Sequence, residues 1–173
     1  MSLSQALRSS AGVYYGTGDG PESGPFVSRI AVALLPNGGV SIDYEATSRE
    51  QGVQHQEHSL LVAGPDGHDQ LYVAHGESPF VTVMAAVEPG SSRFTQPEPF
   101  GPHAMEIVIE LPEPGRITYA WWWATAGQPL VEQSKADARL LTQRADRPSH
   151  RDGPPPGARA QRAGAPAPGD SWS

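Results

Sequence analysis

The sequence predicts an all-β protein, an antiparallel up-and-down β-barrel of about ten strands around a central cavity. Between residues 11 and 142, short runs alternate apolar and polar side chains, and helical periodicity is almost absent. Glycine, proline, asparagine and aspartate separate these runs at hairpin-length spacing. An open sheet with so many strands would expose two edges, whereas closure into a barrel leaves none.

The clearest unit is a hairpin over residues 26–47. Two β-rich runs flank Pro36-Asn37-Gly38-Gly39, and Asn-Gly tolerates the positive φ angles of a tight turn. In residues 104–111 the alternation predicts that Glu106 and Glu110 lie on a solvated outer face. Further strands are predicted at 53–63, 70–75, 80–87, 92–96, 104–111, 117–124 and 130–141.

Two breaks in composition divide the chain into three segments. Residues 1–10 form a polar leader with one short helical turn, and residues 11–142 form the barrel. Residues 143–173 are rich in proline, glycine and arginine, with few large apolar groups. That tail is predicted to be disordered, because it cannot bury enough surface to offset the entropy lost on ordering.

The composition excludes several classes of function. The chain has no cysteine, so it has no disulfide, thiolate metal site or cysteine nucleophile. Its net charge of −7 disfavours nucleic acid, because an acidic body repels phosphate backbones. No H-x-H, HExxH or G-x-S-x-G spacing is present, so no metal site or serine hydrolase is expected. Neither a signal-peptide core nor a membrane-spanning apolar run occurs, which predicts a cytoplasmic protein without a membrane partner.

The first predicted strand is unusually rich in glycine. Glycines occupy positions 12, 16, 18 and 20, which places them on one strand face. The segment is not a phosphate loop, because no helix follows it. Close approach of strands at barrel closure is therefore favoured over ligand contact. Tyr14, within this strand, is a further candidate ligand contact.

Three sequence elements occur in order. They are the G-x-aromatic-x-G-x-G-x-G pattern of residues 12–20, His55-Gln56-Glu57 after the first hairpin, and Gly127-Gln128-Pro129-Leu130 before the last strand. Together they resemble the nitrobindin family of haem-binding β-barrels, which are calycin-like relatives of the fatty-acid-binding proteins. The resemblance covers residues 12–141 and implies a ten-stranded barrel with a pocket at one end.

The last strand departs from the family pattern. The resemblance places the haem-binding histidine of the family at Gln133, and glutamine is a poor ligand for haem iron. No cofactor is therefore expected. Haem bound through another histidine is a second hypothesis, with these candidates: His55, His58, His75 and His103.

Two arguments disagree on which face of the last strand points inward. The resemblance turns Gln133 and Lys135 toward the cavity, whereas apolar alternation turns Ala136 and Ala138 inward. A one-residue bulge would reconcile them. A surface position for Lys135 is favoured, because its neighbours on that face look solvated.

An aromatic strand and a polar pair supply the remaining candidate site. Tyr119, Trp121 and Trp123 share one strand face and form either core or an aromatic wall for a ligand. His55 and Glu57 share a face of another strand. A carboxylate beside an imidazole can move protons, although a hydrogen-bonded brace is favoured.

The leading hypothesis is a haem-free barrel that binds a small, largely apolar organic molecule. Tyr14, Tyr119, Trp121, Trp123 and Gln133 would contact it. Whether the protein is an enzyme is left open; a cofactor-free isomerisation or cyclisation would use His55 and Glu57 as the catalytic pair. Beside the haem hypothesis stands a third, a non-catalytic carrier or interaction module whose tail recruits a partner. A homodimer is left open.

Overall fold

The protein is a closed barrel of ten antiparallel strands preceded by one short helix. The computed structural model describes residues 2–96, 103–125 and 127–141. Every strand pairs with the next along the chain, and β1 pairs with β10 to close the barrel, which confirms the predicted fold class. The tail predicted over 143–173 lies outside the described residues. The elements are α1 Leu3–Ser9, β1 Gly12–Asp19, β2 Phe26–Leu34, β3 Val40–Ser48, β4 Gly52–Ala63, β5 Asp69–His75, β6 Thr82–Ala86, β7 Arg93–Thr95, β8 His103–Glu113, β9 Arg116–Thr125 and β10 Val131–Leu140.

The β2–β3 hairpin turns where the Asn-Gly pair predicts it. Gly38 has a φ of +93°, which few other residues adopt. The Asn37 side chain accepts a hydrogen bond from the Gly39 amide at 3.2 Å, and the Leu35 amide donates to the Gly39 carbonyl at 3.0 Å. The local sequence therefore sets the register of the hairpin.

The glycines of β1 allow the barrel to close. A Cβ atom at Gly16 would lie 1.9 Å from the carbonyl oxygen of Asp137, and one at Gly20, directly after β1, would lie 1.9 Å from that of Gln133. Only a residue without a side chain fits against the β10 backbone at such distances. Close approach at closure, the favoured interpretation of the glycine pattern, agrees with this packing.

A bulge in β10 resolves the conflict over its inward face. The pairing of β10 with β9 shifts register between Glu132 and Ser134. Beyond the bulge, Ala136 and Ala138 are fully buried and Lys135 is exposed. Apolar alternation therefore predicts this half of the strand correctly, and Lys135 is a surface residue.

The outer face of β8 differs from its prediction at one position. Glu110 is exposed, but Glu106 is buried, with 3% of its surface accessible. The guanidinium of Arg93 on the neighbouring β7 lies 2.6 Å from the Glu106 carboxylate. The expectation that Glu106 is solvated was wrong, because a cross-strand arginine covers and pairs with it.

The leader forms a helix with more packing than the predicted polar turn. Ser2 and Gln5 make a capping box, while Leu3 and Leu7 join the core. Ser4 donates from its amide and hydroxyl to Asp69 at 3.1 and 2.9 Å. The helix thus lies at the barrel end that carries the β2–β3 and β4–β5 turns. No helix in the described part of the chain is long and apolar enough to cross a membrane.

Candidate functional site

A cavity of about 930 Å³ occupies the barrel end opposite α1. The β1–β2, β3–β4 and β5–β6 loops surround it, and we refer to this end as the mouth. Most of the wall is apolar and aromatic, with large contributions from Phe26, Phe80, Met105, Trp121 and Trp123. Such a volume and lining are typical of sites for small organic molecules.

The polar part of the wall is amide, imidazole and carboxylate in character. Three glutamines line the cavity: Gln54, Gln96 and Gln133. Glu22 and Glu77 also line it, whereas no lysine or arginine does so within residues 2–96, 103–125 and 127–141. The charged groups of the wall are therefore mostly acidic.

Glu57 lies one layer behind the wall and is almost saturated with hydrogen bonds. Its side chain has no exposed surface. It accepts from the Trp121 indole at 2.9 Å and from the hydroxyls of Tyr119 and Ser59. A buried charge is tolerated only when it is well paired. Because these donors connect β4 to β9 across the barrel, Glu57 braces the interior.

His55 lies in the wall between two carboxylates. Its Nε2 is 3.5 Å from Glu57 and its Nδ1 is 3.2 Å from Glu77. A neutral imidazole carries one N–H, so only the imidazolium can donate to both. Burial lowers the pKa of His55, but the hydrogen bonds and charges of Glu57 and then Glu77 outweigh burial and raise the pKa overall. The two carboxylates therefore favour the protonated form of His55.

His75 has a different arrangement. Its Nδ1 lies 2.7 Å from Glu77, and its buried Nε2 has no hydrogen-bond partner. Burial raises the pKa of Glu77, but the hydrogen bond to His75 and the charge of His55 outweigh it and lower the pKa. When Nδ1 of His75 donates its proton to Glu77, the neutral form of the ring has its acceptor lone pair on Nε2.

Two aromatic side chains hold the histidines in place. The ring of Trp121 lies 5.4 Å from His55 and 5.3 Å from His75, edge-on in both contacts. Tyr44 lies 5.5 Å from His55, and its hydroxyl has no partner. Burial, followed by the charge of Glu57, raises the pKa of Tyr44, so it remains a phenol.

The structure separates the predicted site residues into two groups. His55, Trp121, Trp123 and Gln133 line the cavity; the β10 bulge also brings Ser134 into the wall. Glu57, Tyr119 and Tyr14 do not line it.

The residues outside the wall have structural partners. Tyr119 is fully buried and donates to Glu57. Tyr14 is fully buried as well, and its hydroxyl donates to the Ser10 carbonyl. Burial raises the pKa of each tyrosine. Both side chains therefore pack within the core and outside the cavity wall, and contact of either one with a ligand stays a prediction.

The sequence did not indicate Tyr44 or Glu77 as site residues, and it indicated His75 only as an alternative haem ligand. The signal for the last two was their place at the end of a strand, which located them at a barrel mouth. Their grouping depends on pairing: Glu57 faces Tyr44 on β3 and His75 on β5. That cross-strand register was not fixed by any one local pattern.

Comparison with known proteins identifies the fold. No family model and no curated protein matches the chain. Rv2717c from M. tuberculosis is similar with a TM-score of 0.59 and 17% identity over 80% of this chain and 96% of that one. The S-type phycobiliprotein lyase CPES from Guillardia theta is similar with a TM-score of 0.51 and 14% identity over 81% of this chain and 92% of that one. At these identities the likeness concerns the fold alone.

Proposed function

We propose that this protein binds a small, largely apolar organic molecule inside the barrel. The observation that carries the proposal is the cavity of about 930 Å³ at the mouth, walled by Trp121 and Trp123. Stacking and apolar burial against such a wall supply affinity, while a few polar groups orient the ligand.

The ligand is proposed to be something other than haem, in a haem-free relative of the nitrobindins. Gln133 lines the cavity at the position where the resemblance places the haem histidine. A carboxamide is a poor ligand for haem iron compared with the imidazole that the resemblance places there. Glutamine at this position supports a ligand other than haem. The relationship to the nitrobindins is itself part of the proposal.

Haem remains the second candidate because of one side chain. His75 lines the cavity, and its Nε2 has no partner while Glu77 anchors Nδ1. Metal-binding histidines commonly donate their other nitrogen to a carboxylate in this way. His55 does not fit, because both of its nitrogens face carboxylates, and the exposed His58 pairs with Asp43 on the outer surface.

A binding role is favoured over turnover by His55 and Glu57. Glu57 is enclosed by three other donors and does not line the cavity, so it would reach a ligand only through His55. That arrangement supports the brace over the catalytic pair. A cofactor-free isomerisation or cyclisation remains a narrower proposal, and a neighbour named as a lyase indicates that this architecture also serves an enzyme.

The binding proposal is tested by titration with the neutral dye Nile red, whose fluorescence rises in apolar surroundings. Trp123→Leu, in the wall, should weaken binding by about tenfold, the equivalent of ~1.4 kcal/mol. Trp122→Leu is the matched control, because Trp122 lies outside the cavity lining on the same strand. No binding, or an equal effect of the two variants, would contradict the proposal.

The haem candidate has its own readout. After titration with haemin, a Soret band that disappears in His75→Ala and persists in His58→Ala would favour it. A Soret band that keeps the position and shape of free haemin in the presence of the unaltered chain would remove it, independently of the result with the dye.

A further inference from the structure

We propose that the cavity selects uncharged or cationic ligands that carry a hydrogen-bond donor, that it excludes carboxylates, and that Nε2 of His75 accepts the ligand's hydrogen bond. This rests on the proposed binding function and specifies its ligand class. The ligand chemistry meant here is an aromatic or otherwise apolar skeleton that bears a hydroxyl or N–H group.

The first support is the charge of the site. Glu77 is in the wall, Glu57 is directly behind it, and His55 lies between them with one ring nitrogen toward each carboxylate. No lysine or arginine among the described residues lines the cavity, so no permanent cation balances these carboxylates. Both N–H groups of His55 point to carboxylates, so none is left for a ligand anion. An incoming carboxylate would lose its hydration without gaining a cation, which is strongly unfavourable.

The second support is the set of buried polar atoms that lack partners. Among residues that line the cavity, these are Nε2 of His75, Oε1 of Gln54, Oε1 of Gln96 and the Tyr44 hydroxyl. The Gln54 amide nitrogen donates to Ser23 at 2.8 Å and to Gln51 at 3.2 Å, which fixes the amide orientation and leaves its oxygen as the acceptor. Unpaired buried groups cost free energy that a ligand with matching donors recovers.

The third support distinguishes His75 from the other polar groups. Its side chain is only 9% exposed, and Glu77 fixes its tautomer at 2.7 Å. The ring lies 5.3 Å from that of Trp121, so a flat ligand packed on the aromatic wall reaches the imidazole edge. His55 presents no free acceptor, and the oxygens of Glu57 are already occupied.

The test compares three ligands that share one skeleton: naphthol, its methyl ether and naphthoate, measured by calorimetry at neutral pH. Naphthol should bind about tenfold more tightly than the ether, because only naphthol donates to Nε2. Naphthoate should bind at least about 100-fold more weakly than naphthol. In Gln133→Arg, a cation placed in the wall should strengthen naphthoate binding by about tenfold.

Variants locate the acceptor. His75→Phe should abolish the preference for naphthol over the ether while the ether binds within about twofold, which also reports that the cavity is intact. Glu77→Gln should reduce the same preference by about threefold, because the tautomer is no longer fixed. His58→Phe, on the outer surface, is the matched control and should change nothing.

Each outcome decides between the proposals. Naphthoate binding as tightly as naphthol would overturn the charge selectivity and leave the binding function standing. A donor preference that survives in both His75→Phe and Glu77→Gln would overturn the role of His75. Failure of all three ligands and of Nile red would overturn the binding function, and this inference with it.

Discussion

Removal of the Tyr119 hydroxyl should destabilise the barrel far more than its small size suggests. In Tyr119→Phe the carboxylate of Glu57 loses one of its hydrogen-bond donors inside the core. Hydrogen bonds to charged groups contribute about 1.5–3 kcal/mol, and the buried acceptor cannot recruit water in exchange. We therefore expect the free energy of unfolding to fall by about 2 kcal/mol.

The assay is equilibrium unfolding in urea, followed by tryptophan fluorescence. With an m-value of about 1.5 kcal/mol/M, a loss of 2 kcal/mol moves the midpoint by ~1.3 M. Tyr72→Phe is the matched control. Its hydroxyl donates to Gln70 at 3.0 Å in a part-buried position, where water can replace it, so the loss should stay below about 0.5 kcal/mol.

The comparison has a clear refuting outcome. Equal losses for Tyr119→Phe and Tyr72→Phe would mean that the Glu57 cluster does not brace the interior. Glu57→Gln should lie beyond both at about 3 kcal/mol, because the amide NH₂ replaces one of two oxygens that each accept from buried donors. It therefore faces either the Tyr119 and Ser59 hydroxyls or the Trp121 indole, and the lost charge weakens the remaining hydrogen bonds. A stable Glu57→Gln protein would equally contradict the brace.

Three further predictions concern other parts of the barrel. The pKa of His55 is raised in the folded state. Its contribution to stability is therefore complete below the unfolded pKa of about 6.5 and is lost as pH rises through the folded pKa. The urea midpoint should fall over that pH window, and His55→Gln should make the midpoint less dependent on pH. Gly16→Ala should cost at least about 3 kcal/mol in thermal unfolding, because its Cβ would meet the β10 backbone at 1.9 Å. Gly76→Ala is the control and should be neutral, because nothing lies nearer than 4.0 Å to its Cβ. Similar unfolding temperatures for the two variants would contradict the idea that glycine allows the barrel to close. Asp69→Ala should lower the free energy of unfolding by about 2 kcal/mol, because both hydrogen bonds from Ser4 are lost. Asp66→Ala in the neighbouring turn is the control. If protease cleaved α1 no faster in Asp69→Ala than in the unaltered chain, the docking of the helix through Asp69 would be contradicted.

The fold was predictable because its signals are local. Alternation with period two, the Asn37-Gly38 turn and the glycines of β1 each act within a few residues or against one neighbouring strand. A short helical turn was predicted in the leader, but the packing of α1 was not. Only Leu3 and Leu7 mark its buried side, and its docking depends on Asp69, 65 residues from Ser4 in the chain. The β10 bulge was anticipated only as a way to reconcile two registers.

The site was only partly predictable because its contacts are long-range. Alternation put Trp121 and Trp123 on one face, and both line the cavity. It put Tyr119 on the same face. Whether an inward-facing side chain lines the cavity or packs in the core depends on its position along the barrel axis, and alternation does not report that position. Glu57 and Tyr119 are 62 residues apart in the chain, so no sequence window contains the brace.

The two carboxylates of the site have separate tasks, and this follows from what surrounds each one. Glu57 is enclosed by donors from β4 and β9, so its negative charge is consumed in holding the barrel together. Glu77 is about half exposed in the β5–β6 loop and orients two imidazoles. Only one of those imidazoles, His75, retains a nitrogen without a partner. The chemistry available to a ligand therefore lies at the mouth with Glu77 and His75, whereas the His55-x-Glu57 pair mainly builds the wall behind it.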